Sequence, residues 1–110
     1  MAGKRIYETE AVKAFAAQMS LASFRKYLHA KGAIRERGWI GYPEGEKFNE
    51  HDNLFAIRIL TRGNERFFYC YDVGDLVLIL HAFEKKTKKT PHSEIKRALA
   101  IKRELLGGVV

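Results

Sequence analysis

The spacing of apolar residues divides the chain into a helical first part and a strand-rich second part. From Glu10 onward Ala11, Val12, Phe15, Ala16 and Met19 recur at three- and four-residue steps, which places them on one face of a helix. Ser20 offers an oxygen to cap a second helix, with Leu21, Phe24 and Leu28 expected inward and Gly32 or Gly38 as its stop. Ahead of this predicted hairpin, "KRIYET" (Lys4 to Thr9) reads as a short first strand. "GWIGYPEGEKFNEHDN" (Gly38 to Asn53) holds three glycines and a proline without a period, and reads as a loop.

After Asn53 the period falls to two. "NLFAIRIL", "RFFYCYDV" and "DLVLILHAF" read as three strands, and the turn-rich "TRGNE" and "DVGD" between them make an antiparallel meander. "LVLIL" is apolar on both faces, so it is expected to be the most enclosed strand. Ala98, Leu99, Ile101, Leu105 and Leu106 fit a last helix from about His92, opened by Pro91. The expectation is an α+β fold in one domain over residues 1–110: an N-terminal helical hairpin packed on an antiparallel meander, with a C-terminal helix.

Turn lengths then sort the strand faces. With a three-residue loop in "TRGNE" and a two-residue loop in "DVGD", Arg58 lies opposite Phe68 and Arg66 opposite His81. Phe55, Ile57, Ile59, Phe67, Tyr69, Tyr71, Leu76, Leu78, Leu80 and Ala82 then form the core face. Arg58, Arg66, Phe68, Cys70, Val77, Ile79, His81 and Phe83 form the other. A one-residue slip would exchange the faces.

Charge narrows the choice of partner. Twenty Lys and Arg against thirteen Asp and Glu give +7, which points to a polyanion, nucleic acid ahead of acidic protein or anionic membrane. Cys70 has no second cysteine to pair with and lies in a strand, so a buried thiol in a reducing cytoplasm is expected. "LVLIL" is far too short to span a bilayer and the basic N-terminus leads into no apolar stretch, so neither secretion nor a membrane is expected. The four histidines show no zinc spacing and no phosphate-loop glycine motif is present, so no metal and no cofactor are expected.

Arg58, Arg66 and His81 interrupt apolar strands. Their face is either solvated or a phosphate site, where guanidiniums bind bidentately and an imidazole moves protons. Lys85, Lys86, Lys88 and Lys89 extend the strand that carries His81 and Phe83, either as a solvated run or as a wall of that cleft. Trp39 and Tyr42 are base-stacking platforms or pins that hold their loop to the core.

"LFAIRIL", then "GNERFFYCY", then "LVLILHAFEKKTKKTPHSEIKRA" resembles the RelE-type toxins of bacterial type II toxin–antitoxin modules, most closely the HigB-like and phage-derived branch. The third motif follows that branch's "LhxFxKKtxKTPxxEIxxA" over residues 80–98. The resemblance covers residues 53–103 and matches the helical part by element order. It implies a helical hairpin on one sheet face and an RNA cleft on the other. It also implies a metal-free endoribonuclease acting on mRNA in the ribosome, and a helix-turn-helix antitoxin as partner. Arg58 and Arg66 match the arginines of the first two motifs, and Phe83, Lys85, Lys86, Lys88 and Lys89 fall in the third.

On that resemblance, Arg58 and Arg66 take the phosphate charge and His81 transfers protons. Lys85 and Lys86 position the substrate or stabilise the leaving group, while Phe83, Lys88 and Lys89 hold RNA. Two positions depart from the pattern: Ala56 stands where relatives often have an acid, and Glu65 where they have an aromatic. A non-catalytic RNA- or DNA-binding relative and a gyrase-directed ParE-like toxin are the alternatives.

Overall fold

The computed structural model describes residues 3–107. Its elements run β1 (Arg5–Glu8), α1 (Glu10–Ala17), α2 (Leu21–Arg37), β2 (Gly45–Lys47), β3 (Phe55–Arg58), β4 (Glu65–Tyr71), β5 (Leu76–Glu84) and α3 (His92–Leu105). The fold is α+β, as the periodicity predicts.

Both N-terminal helices start where a side-chain oxygen meets a free amide. Thr9 Oγ1 accepts from the Val12 amide at 3.2 Å, and Ser20 Oγ from the Ser23 amide at 3.2 Å. α2 stops at Gly38, whose φ of 91° is left-handed and whose amide donates to Ile34 O.

The buried stripe of α2 is Ser23, Tyr27, Ala30 and Ile34, whereas Leu21 and Leu28 are exposed. Polar hooks select this face. The Tyr27 ring stacks on Phe67 at 3.9 Å and its hydroxyl donates to Glu8 at 2.6 Å, while the hydroxyls of Ser23 and Thr61 are 2.6 Å apart. Lys31 pairs with the same Glu8 carboxylate at 2.9 Å. Burial pushes the Glu8 carboxyl up, but its bonds to Tyr27 and Lys31 outweigh that and hold it below the usual value.

The sheet has five strands in the order β1-β5-β4-β3-β2. The predicted meander is its centre, and both edges differ from the expectation. β1 pairs in parallel with β5, so the sheet is mixed, and β2 forms inside the stretch expected to be a loop, antiparallel to β3. The β3–β4 register also differs by two residues: Arg58 lies opposite Arg66, because the Ile59 amide already donates to Glu65 O at 2.9 Å. An offset of two leaves every side chain on its predicted face.

β5 departs further. It pairs Arg66 with Phe83 and Phe68 with His81, but then Tyr69 with Ile79, so one residue of β5 is extra at a bulge. The bulge reverses the alternation before His81. Val77 and Ile79 therefore join Phe67 and Tyr69 in the core beneath α1 and α2, and Leu78 and Leu80 turn to the opposite face with Phe68 and Cys70, where Leu76 also packs. Fully burying an aliphatic or aromatic side chain of this size stabilises by roughly 1.5–3 kcal/mol, so the bulge decides where a large part of the core energy lies.

That second face is not left open along its length. α3 lays Ala98, Ile95, Leu99 and Ile101 over Leu54, Phe68, Leu78 and Leu80, while Leu105, expected inward, is 39% exposed. Burial pushes the Cys70 thiol up to about 11 and keeps it protonated. Among the described residues no helix is long and apolar enough to cross a membrane.

Candidate functional site

At one end of the second face, the last residue of β3 meets the start of β4 and the end of β5. The pairs Arg58–Arg66 and Arg66–Phe83 are directly cross-strand, so these three side chains leave the same face. Lys85 follows β5 at the same end. Its amide donates to Asn64 O at 3.0 Å and its carbonyl accepts from Asn64 Nδ2 at 3.1 Å, which ties the loop after β3 to the exit from β5. Asn64 adopts a left-handed φ of 53°, a conformation asparagine tolerates, and so turns its Oδ1 to accept from Arg66 Nη1 at 2.8 Å.

Arg66 is only 3% exposed, yet its guanidinium is not fully used. Nη1 also donates to Glu65 O at 3.1 Å, but the buried Nε has no partner. Among the described residues none of Arg58, Arg66 and Lys85 forms an ion pair with a carboxylate. Burial, and then the Arg58 guanidinium, draw Arg66 below the usual arginine value; burial and Arg66 do the same to Lys85. Arg66 and Lys85 are thus both drawn down by neighbouring cations at one sheet end, and the buried Arg66 Nε stays unsatisfied. A bound anion relieves the repulsion, and a phosphate has the oxygens to meet guanidinium and ammonium donors together.

A carboxylate enters this face from an unexpected strand. Glu46 of β2 pairs across from Ala56, which faces Phe68, which faces His81, so the four form one row across the sheet. Its charge pulls both Arg66 and Lys85 back towards their usual values. Ala56 carries no acid, and the residue paired with it on β2 is Glu46. Sequence reasoning missed Glu46 because a three-residue strand carries no readable period. Gly45 lets it form: a Cβ there would lie 2.0 Å from Ile40 O, so only glycine lets the preceding loop pass so close.

His81 lies on the same face as Arg58 and Arg66, one same-face row further along β5. Its Nε2 is 2.6 Å from Glu94 Oε1 of α3, with the two side chains 15% and 29% exposed. Its ring runs parallel to those of Phe68 and Phe83, with centroids 6.3 and 6.1 Å away. Phe83 is buried, stacks on Phe68 and lies directly across from Arg66.

The structure therefore gathers Arg58, Arg66, Phe83 and Lys85, sets His81 beside them, and leaves Lys86, Lys88 and Lys89 exposed on the loop that leads to α3. Trp39 and Tyr42 do not pin their loop to the core; they are 55% and 85% exposed.

A family model described as "Phage derived protein Gp49-like (DUF891)" matches residues 14–103. Comparison with curated proteins gives no match.

Proposed function

The chain belongs to the phage-derived Gp49-like family, a RelE/toxin-type family, and from that premise we propose that it is a HigB-like toxin that cleaves mRNA on the ribosome. The observation that carries this reading is the cluster of Arg58, Arg66 and Lys85 on one sheet face, with no carboxylate ion pair to any of them among the described residues. Cleavage proceeds by attack of a ribose 2′-oxygen on the adjacent phosphorus and departure of the 5′-oxygen. It needs a proton removed, a proton supplied and charge on the phosphorane neutralised, and none of these requires a metal or cofactor.

Arg58 and Arg66 hold the phosphorane oxygens. With Nε2–H of His81 donating to Glu94, Nδ1 is left to accept the 2′-hydroxyl proton. Lys85, whose basicity is lowered by burial and Arg66, is a better acid than a free lysine and protonates the leaving oxygen, with Lys86 beside it in sequence. Glu46 balances the charge of the cluster. Lys88 and Lys89 contact phosphates further along the strand, and Phe83 supports the site from below. Proton-transfer groups of this kind contribute ~10²- to 10⁴-fold each. The ribosome supplies an ordered substrate, and the protein's +7 charge draws it to RNA. The partner that silences the toxin is a helix-turn-helix antitoxin, and the site of action is the cytoplasm.

A second reading, RNA binding without cleavage, draws on Ala56 and on the engagement of His81 by Glu94. Induction of the protein in bacteria, with mapping of mRNA 5′ ends, separates the two. Cuts that fall in register with codons, and only in translated messages, are expected. Growth arrest with intact messages overturns the cleavage reading.

A further inference from the structure

A groove of about 530 Å³ lies between α2 and the loop that carries Trp39 and Tyr42, and Arg58 lines its end. Its size is that of a small-molecule site. Arg25, Lys26 and Arg37 of α2 line it together with Arg58, against one carboxylate, Glu44.

The aromatic pair is presented by a fixed loop. Gly45 N donates to Gly41 O at 2.8 Å, Arg58 N to Glu44 O at 2.6 Å, and Arg58 Nη1 to Pro43 O at 3.1 Å. A Cβ on Gly41 would come within 2.9 Å of Trp39 Cζ3, so the indole lies close over that glycine. Each ring has a guanidinium near its face: Arg37 is 5.1 Å from the Trp39 centroid and Arg58 5.8 Å from that of Tyr42. Large rings this exposed on a tied loop are poor structural pins. They are suitable surfaces for an unstacked base, since every base has a π-face and its phosphate needs a cation.

We propose that this groove is a second RNA subsite, which takes one splayed nucleotide of a single strand, its base on Tyr42 and Trp39 and its phosphates on Arg37 and the neighbouring α2 cations. Arg58 belongs to both places: it faces Arg66 across the sheet and it lines the groove, so a strand with its phosphate at Arg58 continues into the channel. This continuity, with the paired aromatics, favours RNA over an acidic protein segment, which would match the charge but has no use for the rings. The inference rests on the RNA-directed reading above and adds to it a source of base preference next to the cut.

Trp39 is the single tryptophan of the chain, so its fluorescence reports on the groove directly. The protein is titrated with a 2′-O-methyl hexanucleotide, which lacks the attacking hydroxyl and is not cut, and separately with oligoglutamate. RNA is expected to quench Trp39, with an affinity that falls steeply with salt. Loss of one stacking ring in Tyr42→Ala is expected to weaken binding roughly tenfold, and Arg37→Glu to weaken it as well. Ribosomal cleavage is scored on the same preparations. Quenching without cleavage upholds the groove and removes the cleavage reading; cleavage without quenching overturns the groove alone. Quenching by oligoglutamate but not by RNA, or RNA affinity unchanged in Tyr42→Ala, also overturns it.

Discussion

Arg66→Ala is expected to lower cleavage of mRNA on programmed ribosomes by about 10²- to 10³-fold, the usual cost of removing one fixed donor from a site where charge develops. The size of the effect follows from how the side chain is held. Asn64 clamps Nη1, the β4 backbone takes a second bond, and the side chain is buried at 3% exposure, so the guanidinium is held in one orientation before substrate arrives. Arg66→Lys is expected to restore little, because an ammonium has one point of charge where the fork offers several donors and cannot keep the Asn64 bond while facing a phosphate. Stability should change far less than activity. Losing the Asn64 bond costs about 1 kcal/mol, and relief of repulsion with Arg58 offsets part of it. Cleavage rates measured beside thermal melts check both halves; a rate within about threefold of the parent would remove Arg66 from the mechanism.

Phe68→Ala is expected to cost about 3–5 kcal/mol, a large share of the ~5–15 kcal/mol that stabilises a domain of this size. Phe68 is fully buried in the centre of the second face, with Phe48 at 5.3 Å, Phe83 at 5.7 Å and His81 at 6.3 Å between ring centroids. Removing it opens a cavity beneath the ring that carries the proposed proton transfer, so activity per folded molecule should fall as well. Phe67→Ala is the matching control. That ring is equally buried but lies on the other face, against Tyr27 and Phe15. Urea unfolding should place both variants well below the parent. Only Phe68→Ala should show reduced cleavage once the folded fraction is taken into account, and equal activity in the two would detach Phe68 from the site.

The features that were legible from the residues share a physical character. Ser20 and Gly38 act within a few residues of themselves, so the start and the stop of α2 could be read locally. β3 and β4 alternate cleanly, and an error of two in their register was harmless because the side-chain period is also two. The convergence of Arg58, Arg66 and His81 on one face was legible for the same reason.

Other features depend on contacts that a local pattern does not contain. "LVLIL" is apolar at every position, so nothing in it marks the extra residue that turns Leu78 and Leu80 towards α3 and Val77 and Ile79 towards α1. The inward face of α2 is chosen by Tyr27 and Ser23, whose distant partners are Glu8 and Thr61. β1 is placed by parallel pairing with a strand about seventy residues away, as the 70-residue separation of the Arg5–Asp75 bond shows. Glu46 reached the site through the same kind of distant pairing. It sets a negative charge beside Arg66 and Lys85, on a face where Ala56 offers none.

On the proposed reading, one sheet face, with Arg58, Arg66, Lys85 and His81, turns the RNA's own 2′-hydroxyl against its phosphate. The chemistry of the cut ends tests this most directly, with purified ribosomes, a defined mRNA and the protein. A 2′,3′-cyclic phosphate on the upstream fragment and a 5′-hydroxyl on the downstream one are expected, with no cutting when the 2′-hydroxyl at the cut site is methylated. A 3′-hydroxyl with a 5′-phosphate, or cutting that survives methylation, would contradict it.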